Sequence, residues 1–397
     1  MNSDLIRAKH RQAVALMPGH DIDSWLLQFG RETGLRSDPV GYLVGSTITW
    51  PSAFLLDRSG RSCAIVGSGD AGTVRDTGVW DEVRAYRNSP KEDLLDVLSA
   101  WSPAKIGVSW DASDNTADGI TLGMYRMLET LLDGTRFRDA LVSAGPLAGE
   151  VRRRKLPEEI AGIQRAIDLT EDLIEWIEAQ LKAGISEIEL QRRVHERVRG
   201  AGHGFSWDED GNPMVNFGSP AFMGHALPTE RPLQPGDVIH LDIGLIVDGF
   251  ASDIQRTWYH LRPGEAEAPP DVQRTFDAVR AAMDAGMAAL KPGARGHEVD
   301  AATRSTVEEW DFEEPGFAFG HHVGRVAHDG AGVLGPLWER YGDAPNQVIE
   351  AGNVFAVEMD LEVPGKRGLI GLEEEALVTE EGARYLSRPQ RELRLLR

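Results

Sequence analysis

Val238-Ile-His-Leu-Asp-Ile-Gly-Leu-Ile-Val-Asp-Gly-Phe-Ala-Ser-Asp253 reads as two apolar strands joined at Asp248-Gly249, a strong two-residue signal for a tight β-hairpin. With the turn centred there, Val247 faces Phe250, and Asp253 falls opposite Gly244. Asp253 then shares a sheet face with Asp242 and lies diagonal to it. Ile239, Leu241 and Ile243 take the opposite face and make core contacts. Diagonal same-face positions on paired strands lie about 7–8 Å apart at the backbone, so the two carboxylates can share an ion pair. Gly244 is expected to leave the space for those ions. Two aspartates alone would also suit a solvent-facing strand, and a second hairpin decides between the readings.

That hairpin comes about a hundred residues later. Asn353-Val-Phe-Ala-Val-Glu-Met-Asp-Leu-Glu-Val363 and Gly368-Leu-Ile-Gly-Leu-Glu-Glu-Glu-Ala-Leu-Val378 flank Pro364-Gly-Lys-Arg367. A four-residue loop there puts Glu358 directly opposite Glu373. Like charges so placed destabilise a sheet, so a cation between them is implied. Four carboxylates aimed at one place point to a pair of hard metal ions, and hence to a hydrolase. Register puts Glu374 on the other face, and Glu374 and Glu375 are both read as non-ligands.

Histidines accompany each hairpin. Gly320-His-His-Val-Gly-Arg-Val-Ala-His-Asp329 precedes the second, and His225, in Met223-Gly-His-Ala-Leu-Pro228, precedes the first. A single histidine is more often a satisfied core or surface residue than a ligand; four acids with histidines in matching loops reverse that. One imidazole with four carboxylates makes an oxygen-rich site that suits Mn²⁺ or Co²⁺ better than thiolate-type zinc chemistry.

Composition bounds the rest. The 397 residues are enough for two domains, and the net charge of −21 argues against nucleic acid or an anionic membrane as partner. One cysteine, Cys63, excludes an intramolecular disulfide and a multi-cysteine metal site. The N-terminal stretch lacks the apolar core of a signal peptide, and no stretch approaches the roughly 20 apolar residues of a spanning helix. A soluble, cytoplasmic protein is expected.

Residues 1–150 alternate strand-like and helix-like segments. Residues 22–27, 41–44 and 106–110 read as strands, residues 53–57 and 63–66 as a hairpin around Arg58-Ser-Gly-Arg61, and residues 91–101 as a helix. Gly67-Ser-Gly-Asp-Ala-Gly72 mimics a dinucleotide fingerprint, but no helix pattern follows it. Val151-Arg-Arg-Arg-Lys-Leu-Pro157 is a basic joint opening a second domain, residues 151–397. Ile160, Ile163, Ile167, Ile174, Ile177 and Leu181 form one apolar helical stripe. Ser186-Glu-Ile-Glu189 caps the next helix, and residues 276–290 and 297–310 give two more. The two acidic hairpins are the nearest thing to an internal duplication.

From about residue 155 to 386 the chain resembles the pita-bread metallopeptidases, specifically the Xaa-Pro dipeptidases (prolidases) and their aminopeptidase P relatives. The match runs through His225-Ala-Leu-Pro, Gly236-Asp-Val-Ile-His-Leu-Asp242-Ile-Gly, Gly249-Phe-Ala-Ser-Asp253-Ile-Gln-Arg-Thr257, Gly320-His321, Val357-Glu358, and Glu373 followed by Leu377-Val-Thr379. The resemblance implies a creatinase-like α/β N-terminal domain followed by an α+β pita-bread (creatinase/aminopeptidase-like) catalytic domain, and usually a homodimer. It implies a dinuclear centre, with Mn²⁺ first in mind and Co²⁺ or Zn²⁺ also admissible. Asp242 would bind one metal, Asp253 and Glu373 would bridge, and His321 and Glu358 would bind the other. His225 and His328 would be substrate histidines.

The pattern also departs from the family. The glutamate strand usually continues Pro-Gly, where this chain has Met359-Asp360. Arginines that bind the substrate carboxylate usually stand where this chain has Gly371 and Gln347. Arg325 and Arg367 are the candidates for that role. The expected activity is hydrolysis of the Xaa-Pro bond of dipeptides, small peptides being the partner, through a metal-bridging hydroxide whose proton Glu358 relays. His225 and His328 would stabilise the oxyanion or position the carbonyl. Rivals are aminopeptidase P activity on longer peptides, a metal-free creatinase-like hydrolase, a binding scaffold, and a metal-dependent hydrolase or lyase of a small non-peptide metabolite.

Overall fold

The computed structural model describes residues 2–32, 40–114, 116–218, 227–365 and 367–397. The chain divides into two compact units, Met1–Arg152 and Arg153–Arg397.

The first unit is built on a six-stranded mixed sheet. Its strands are β1 (Ser24–Gly30), β2 (Ser52–Asp57), β3 (Ser62–Gly67), β4 (Glu82–Tyr86), β5 (Ile106–Val108) and β6 (Leu141–Ser143), in the order β4-β3-β2-β1-β5-β6. The β2–β3 hairpin and the helix Lys91–Trp101 form as the sequence predicts. Residues 41–44, expected as a strand, are a 3₁₀ turn. Tyr42 and Leu43 carry the apolar character of a strand, but Gly45 beyond them takes a left-handed φ of 78° that turns the chain. A second difference follows the glycine run. A six-residue helix, Ala71–Asp76, forms after β3, with Ala71 and Val74 buried.

In the second unit, two helices precede an acidic hairpin, and the arrangement occurs twice. The helices of the first half are Pro157–Glu178 and Glu187–Gly200. Ile163, Ile167, Ile174 and Ile177 are buried as one stripe, and Ser186 accepts the Glu189 N–H as the cap. Strands β7 (Gly204–Phe205), β8 (Met214–Phe217), β9 (Val238–Ile243), β10 (Leu245–Val247), β11 (Phe250–Ala251) and β12 (Ile254–His260) follow. The helices of the second half are Pro270–Ala289 and Gly296–Glu309. After them come β13 (Gly320–His322), β14 (Val333–Leu334), β15 (Val354–Glu362), β16 (Leu369–Thr379), β17 (Gly382–Tyr385) and β18 (Arg394–Leu396). Sheets ordered β18-β12-β9-β8 and β14-β13-β15-β16-β17 result, with a small β11-β10-β7 ribbon.

Both hairpins keep the register read from their turns. Asp248 and Gly249 have φ of 52° and 77°, as a type I′ turn requires. Val247 pairs with Phe250 on one side of Gly244, and Asp242 with Gln255 on the other. In the second hairpin Glu358 pairs with Glu373 and Asp360 with Gly371. Alternation then separates two faces. Phe355, Val357, Met359, Ile370 and Leu372 pack in one core with Phe276, Val279 and Met283 of the helix Pro270–Ala289. Glu358, Asp360, Gly371 and Glu373 are left on the other face.

The hairpins are stitched to each other along β12 and β16. The Thr257 hydroxyl donates to Gly371 O at 2.7 Å and accepts the Gly371 N–H at 3.1 Å. Buried Arg256 donates to Glu373 O at 2.9 Å and to Glu374 at 3.0 Å. This joint brings Asp253 and Glu373, far apart in sequence, to one place.

Candidate metal centre

Asp242 extends from β9, Asp253 stands immediately before β12, His321 comes from β13, Glu358 from β15 and Glu373 from β16. All five line one cavity of about 1020 Å³. His321 Nε2 lies 3.8 Å from Asp253 Oδ2, 3.7 Å from Glu373 Oε1 and 4.0 Å from Glu358 Oε1. Ligand atoms of Asp253, His321 and Glu373 fall within 4.8 Å of one another, as the donors of one cation do.

The imidazole is held for this task. His321 Nδ1–H donates to Ala327 O at 3.2 Å, which leaves Nε2 as the bare nitrogen facing the carboxylates. Burial lowers its pKa to about 3, so it is neutral. The carboxylates move the other way. Burial, with repulsion from Glu358, lifts Asp242 to about 8, and burial lifts Glu358 to about 7 against a hydrogen bond from Gln255. Burial lifts Asp253 and Glu373 well above the usual range, with repulsion from Asp242 adding to the first and repulsion from Asp253 to the second. A fold that presses acids together at this cost, with Asp242 Oδ1 buried and unpartnered, fits a resident cation.

Residues around the centre explain its shape. Gln255 donates to Glu358 Oε2 at 3.1 Å and accepts at Oε1 from His240 at 2.8 Å. Glu375 accepts the Asp253 backbone N–H at 2.7 Å, so it positions that residue. Glu374 faces away, bonded to Arg256, Ser387 and the Gln390 N–H. The space beside Gly244, expected to admit ions, is filled. A Cβ there would collide with Ser252 O and the Trp207 ring, so close backbone packing is what requires the glycine.

The histidine loop sorts into three environments. His321 and His328 line the cavity, their rings stacked 4.1 Å apart. His322 is turned into the core, stacked on Phe355 and bonded to Gln347, its pKa lowered by burial to about 3. A buried ion pair anchors the loop. Lys155 Nζ lies 2.9 Å from Asp329 Oδ2, which also accepts the Arg325 N–H at 2.9 Å. His225 lies outside the described residues. Arg325 donates to Gly249 O and stacks over Phe250, and Arg367 pairs with Asp271. Neither is among the residues lining the cavity.

Arg340, which no motif marks, does line it. Its guanidinium lies over Trp338 and Tyr341, 4.7 and 4.8 Å from the ring centres. Asp360, Gln255 and Trp207 also line the cavity. Register would have pointed to Gln255, two residues after Asp253 on the same face.

Two helix-and-hairpin halves closing over an acidic, histidine-bearing cavity define a pita-bread metallohydrolase. The chain belongs to metallopeptidase family M24, whose pattern it matches over residues 161–380. It is 27% identical to the Bacillus subtilis (strain 168) protein named "Putative dipeptidase YkvY" over 382 residues, 94% of this chain and 98% of that one. The Xaa-Pro dipeptidase from Bacillus anthracis has a similar fold, with a TM-score of 0.74, 22% identity, and coverage of 98% of this chain and 100% of that one. Dipeptidase PepE from Mycobacterium ulcerans gives a TM-score of 0.74 at 22% identity, covering 100% and 99%. No helix among the described residues is long and apolar enough to cross a membrane.

Proposed function

We propose that this metallopeptidase is a two-metal exopeptidase hydrolysing the Xaa-Pro bond of dipeptides. The observation that carries this reading is the Glu358–Glu373 pair, two like charges face to face with His321 Nε2 about equally far from both. Asp242, Asp253, His321, Glu358 and Glu373 would hold the ions, Asp253 and Glu373 being shared, and Mn²⁺ suits their oxygen-rich set. Such ions supply Lewis acidity, which acidifies water and polarises the scissile carbonyl.

The chain's own groups do the rest. Glu358, steadied at Oε2 by Gln255, accepts the water's proton and passes it to the proline nitrogen. His328, stacked on His321, donates to the substrate carbonyl in this reading, a role shared with His225. Arg340, the one arginine among the described residues that line the cavity, takes the substrate carboxylate in place of Arg325 or Arg367. A second reading, aminopeptidase activity on longer peptides, draws on the cavity. Its roughly 1020 Å³ is at the upper end of the about 300–1,000 Å³ typical of small-ligand pockets.

A panel of Xaa-Pro dipeptides, their C-terminal amides and Xaa-Pro-Xaa tripeptides, assayed after Mn²⁺ loading, separates the two. Cleavage of dipeptides with poor turnover of amides and tripeptides supports the first. Tripeptides cleaved as fast as dipeptides support the second, and no cleavage of any peptide removes both.

A further inference from the structure

Two arginines grip one short loop beside the cavity. Arg304, on the helix Gly296–Glu309, donates to Pro315 O at 2.7 Å and to Phe317 O, and Arg340 donates to Gly316 O between them. Gly316 and Phe317 line the cavity. The indole of Trp338 joins the two arginines. The Arg304 guanidinium lies 4.9 Å from its ring centre and the Arg340 guanidinium 4.7 Å. Trp338 is not among the residues lining the cavity, whereas Arg340 is, so Trp338 acts through its neighbour and not on a ligand.

The two guanidiniums differ in how they are held. Arg304 is 12% exposed and paired with buried Asp300, and with Glu314 at 2.9 Å. That network pins it, and through it the indole. Arg340 sits on the short 3₁₀ turn Glu339–Tyr341, is exposed, and has no carboxylate partner among the described residues. Its Nη2 serves Gly316 O and the Tyr341 hydroxyl, which leaves Nε and Nη1 to donate elsewhere. An exposed arginine samples many rotamers, and ordering it on ligand binding costs entropy. The face of an indole attracts a guanidinium through its quadrupole, so contact with Trp338 settles part of that ordering before a ligand arrives.

We infer that Trp338 is a positioning residue: by holding the Arg340 guanidinium against its ring, it presents that group's remaining donors to the carboxylate at the C-terminal end of the substrate. The inference rests on the proposed role of Arg340; that Trp338 and Arg340 form one unit rests on their contact alone. It also accounts for how an arginine on a surface turn can serve where the resembling family uses arginines at the positions of Gly371 and Gln347.

Two measurements on the Mn²⁺-loaded protein test this, with wild type, Trp338→Phe, Trp338→Leu, Arg340→Ala and the double variant Trp338→Leu/Arg340→Ala. In the first, kcat and KM are compared for Ala-Pro and its C-terminal amide. Trp338→Leu keeps bulk but removes the ring face, and is expected to raise KM for Ala-Pro about three- to tenfold relative to the amide, with kcat within about twofold. Trp338→Phe, which restores a ring, should fall between Trp338→Leu and wild type. The double variant should match Arg340→Ala alone, because residues acting as one unit are not additive. In the second, proline and prolinamide are titrated calorimetrically into the same proteins. The wild-type preference for proline should shrink about three- to tenfold in Trp338→Leu. If Trp338→Leu keeps the wild-type preference for the acid while Arg340→Ala loses it, the inference is overturned and the role of Arg340 stands. An effect of Trp338→Phe equal to that of Trp338→Leu, or a loss of equal size on the Arg340→Ala background, marks a merely structural role and also overturns it. Wild type without a preference for proline over prolinamide removes the role of Arg340 and the inference with it. A proline preference without cleavage of any Xaa-Pro peptide supports the anion site and removes the peptidase reading instead.

Discussion

Glu358 and Glu373 face each other across the β15–β16 ladder, and His321 Nε2 stands 4.0 Å from the first and 3.7 Å from the second. The pairing would be repulsive in a sheet without a cation, which makes metal removal the most direct perturbation of the fold.

The metal-free protein should lose stability as pH rises. Burial raises the folded pKa of Asp242 to about 8 and of Glu358 to about 7. Such groups contribute fully below their unfolded values of about 4. The contribution is lost as pH climbs through the folded values. The melting temperature in chelator should therefore fall between pH 5 and pH 8. Added Mn²⁺ should raise it more at pH 8 than at pH 5, where protons compete for the same oxygens. Calorimetric scans with and without chelator check this, and a pH-independent melting temperature in chelator would contradict it.

Asp253→Asn and Glu373→Gln should each abolish activity and the binding of at least one metal, since each carboxylate is proposed to touch both ions. Elemental analysis is the readout. Two metals retained at wild-type affinity in either variant would remove the bridging assignment.

His328→Ala should keep both metals while turnover falls by roughly 10²–10³-fold, the scale for losing one transition-state donor. His321→Ala should lose metal. The reverse pattern, with metal lost from His328→Ala and kept by His321→Ala, would mean that the two stacked rings have exchanged roles.

Lys155→Met should destabilise the second unit by up to about 3–5 kcal/mol, because it takes away the buried cation that pairs with Asp329. Denaturant titration measures the loss. Since Asp329 also holds the Arg325 N–H at the turn before His328, activity should fall further than metal content does.

Arg340→Ala should raise KM for Xaa-Pro dipeptides about tenfold or more, on the scale of a lost charge-assisted hydrogen bond, and should narrow the gap between a dipeptide and its amide. Arg325→Ala and Arg367→Ala, which alter residues outside the cavity's lining, should leave that gap unchanged. Steady-state kinetics on the matched pair decide it; an unchanged gap in Arg340→Ala would assign the carboxylate to another group.

What the sequence determined by itself is the register of both hairpins, and with it which carboxylates share a face. The reason is local. A strand's side chains repeat with period two, and Asp248-Gly249 and Pro364-Gly-Lys-Arg367 set each pairing within a few residues, so a one-residue slip would bury the wrong set. The helix stripes were legible for the same kind of reason. Only the tertiary structure decided what fills the space beside Gly244, that Glu375 holds the Asp253 backbone while Glu374 serves Arg256, and that Arg340 reaches the cavity where Arg325 and Arg367 do not. Each of these depends on contacts between segments far apart in the chain, or on the path of a loop with no periodicity, and neither leaves a repeating mark on neighbouring residues.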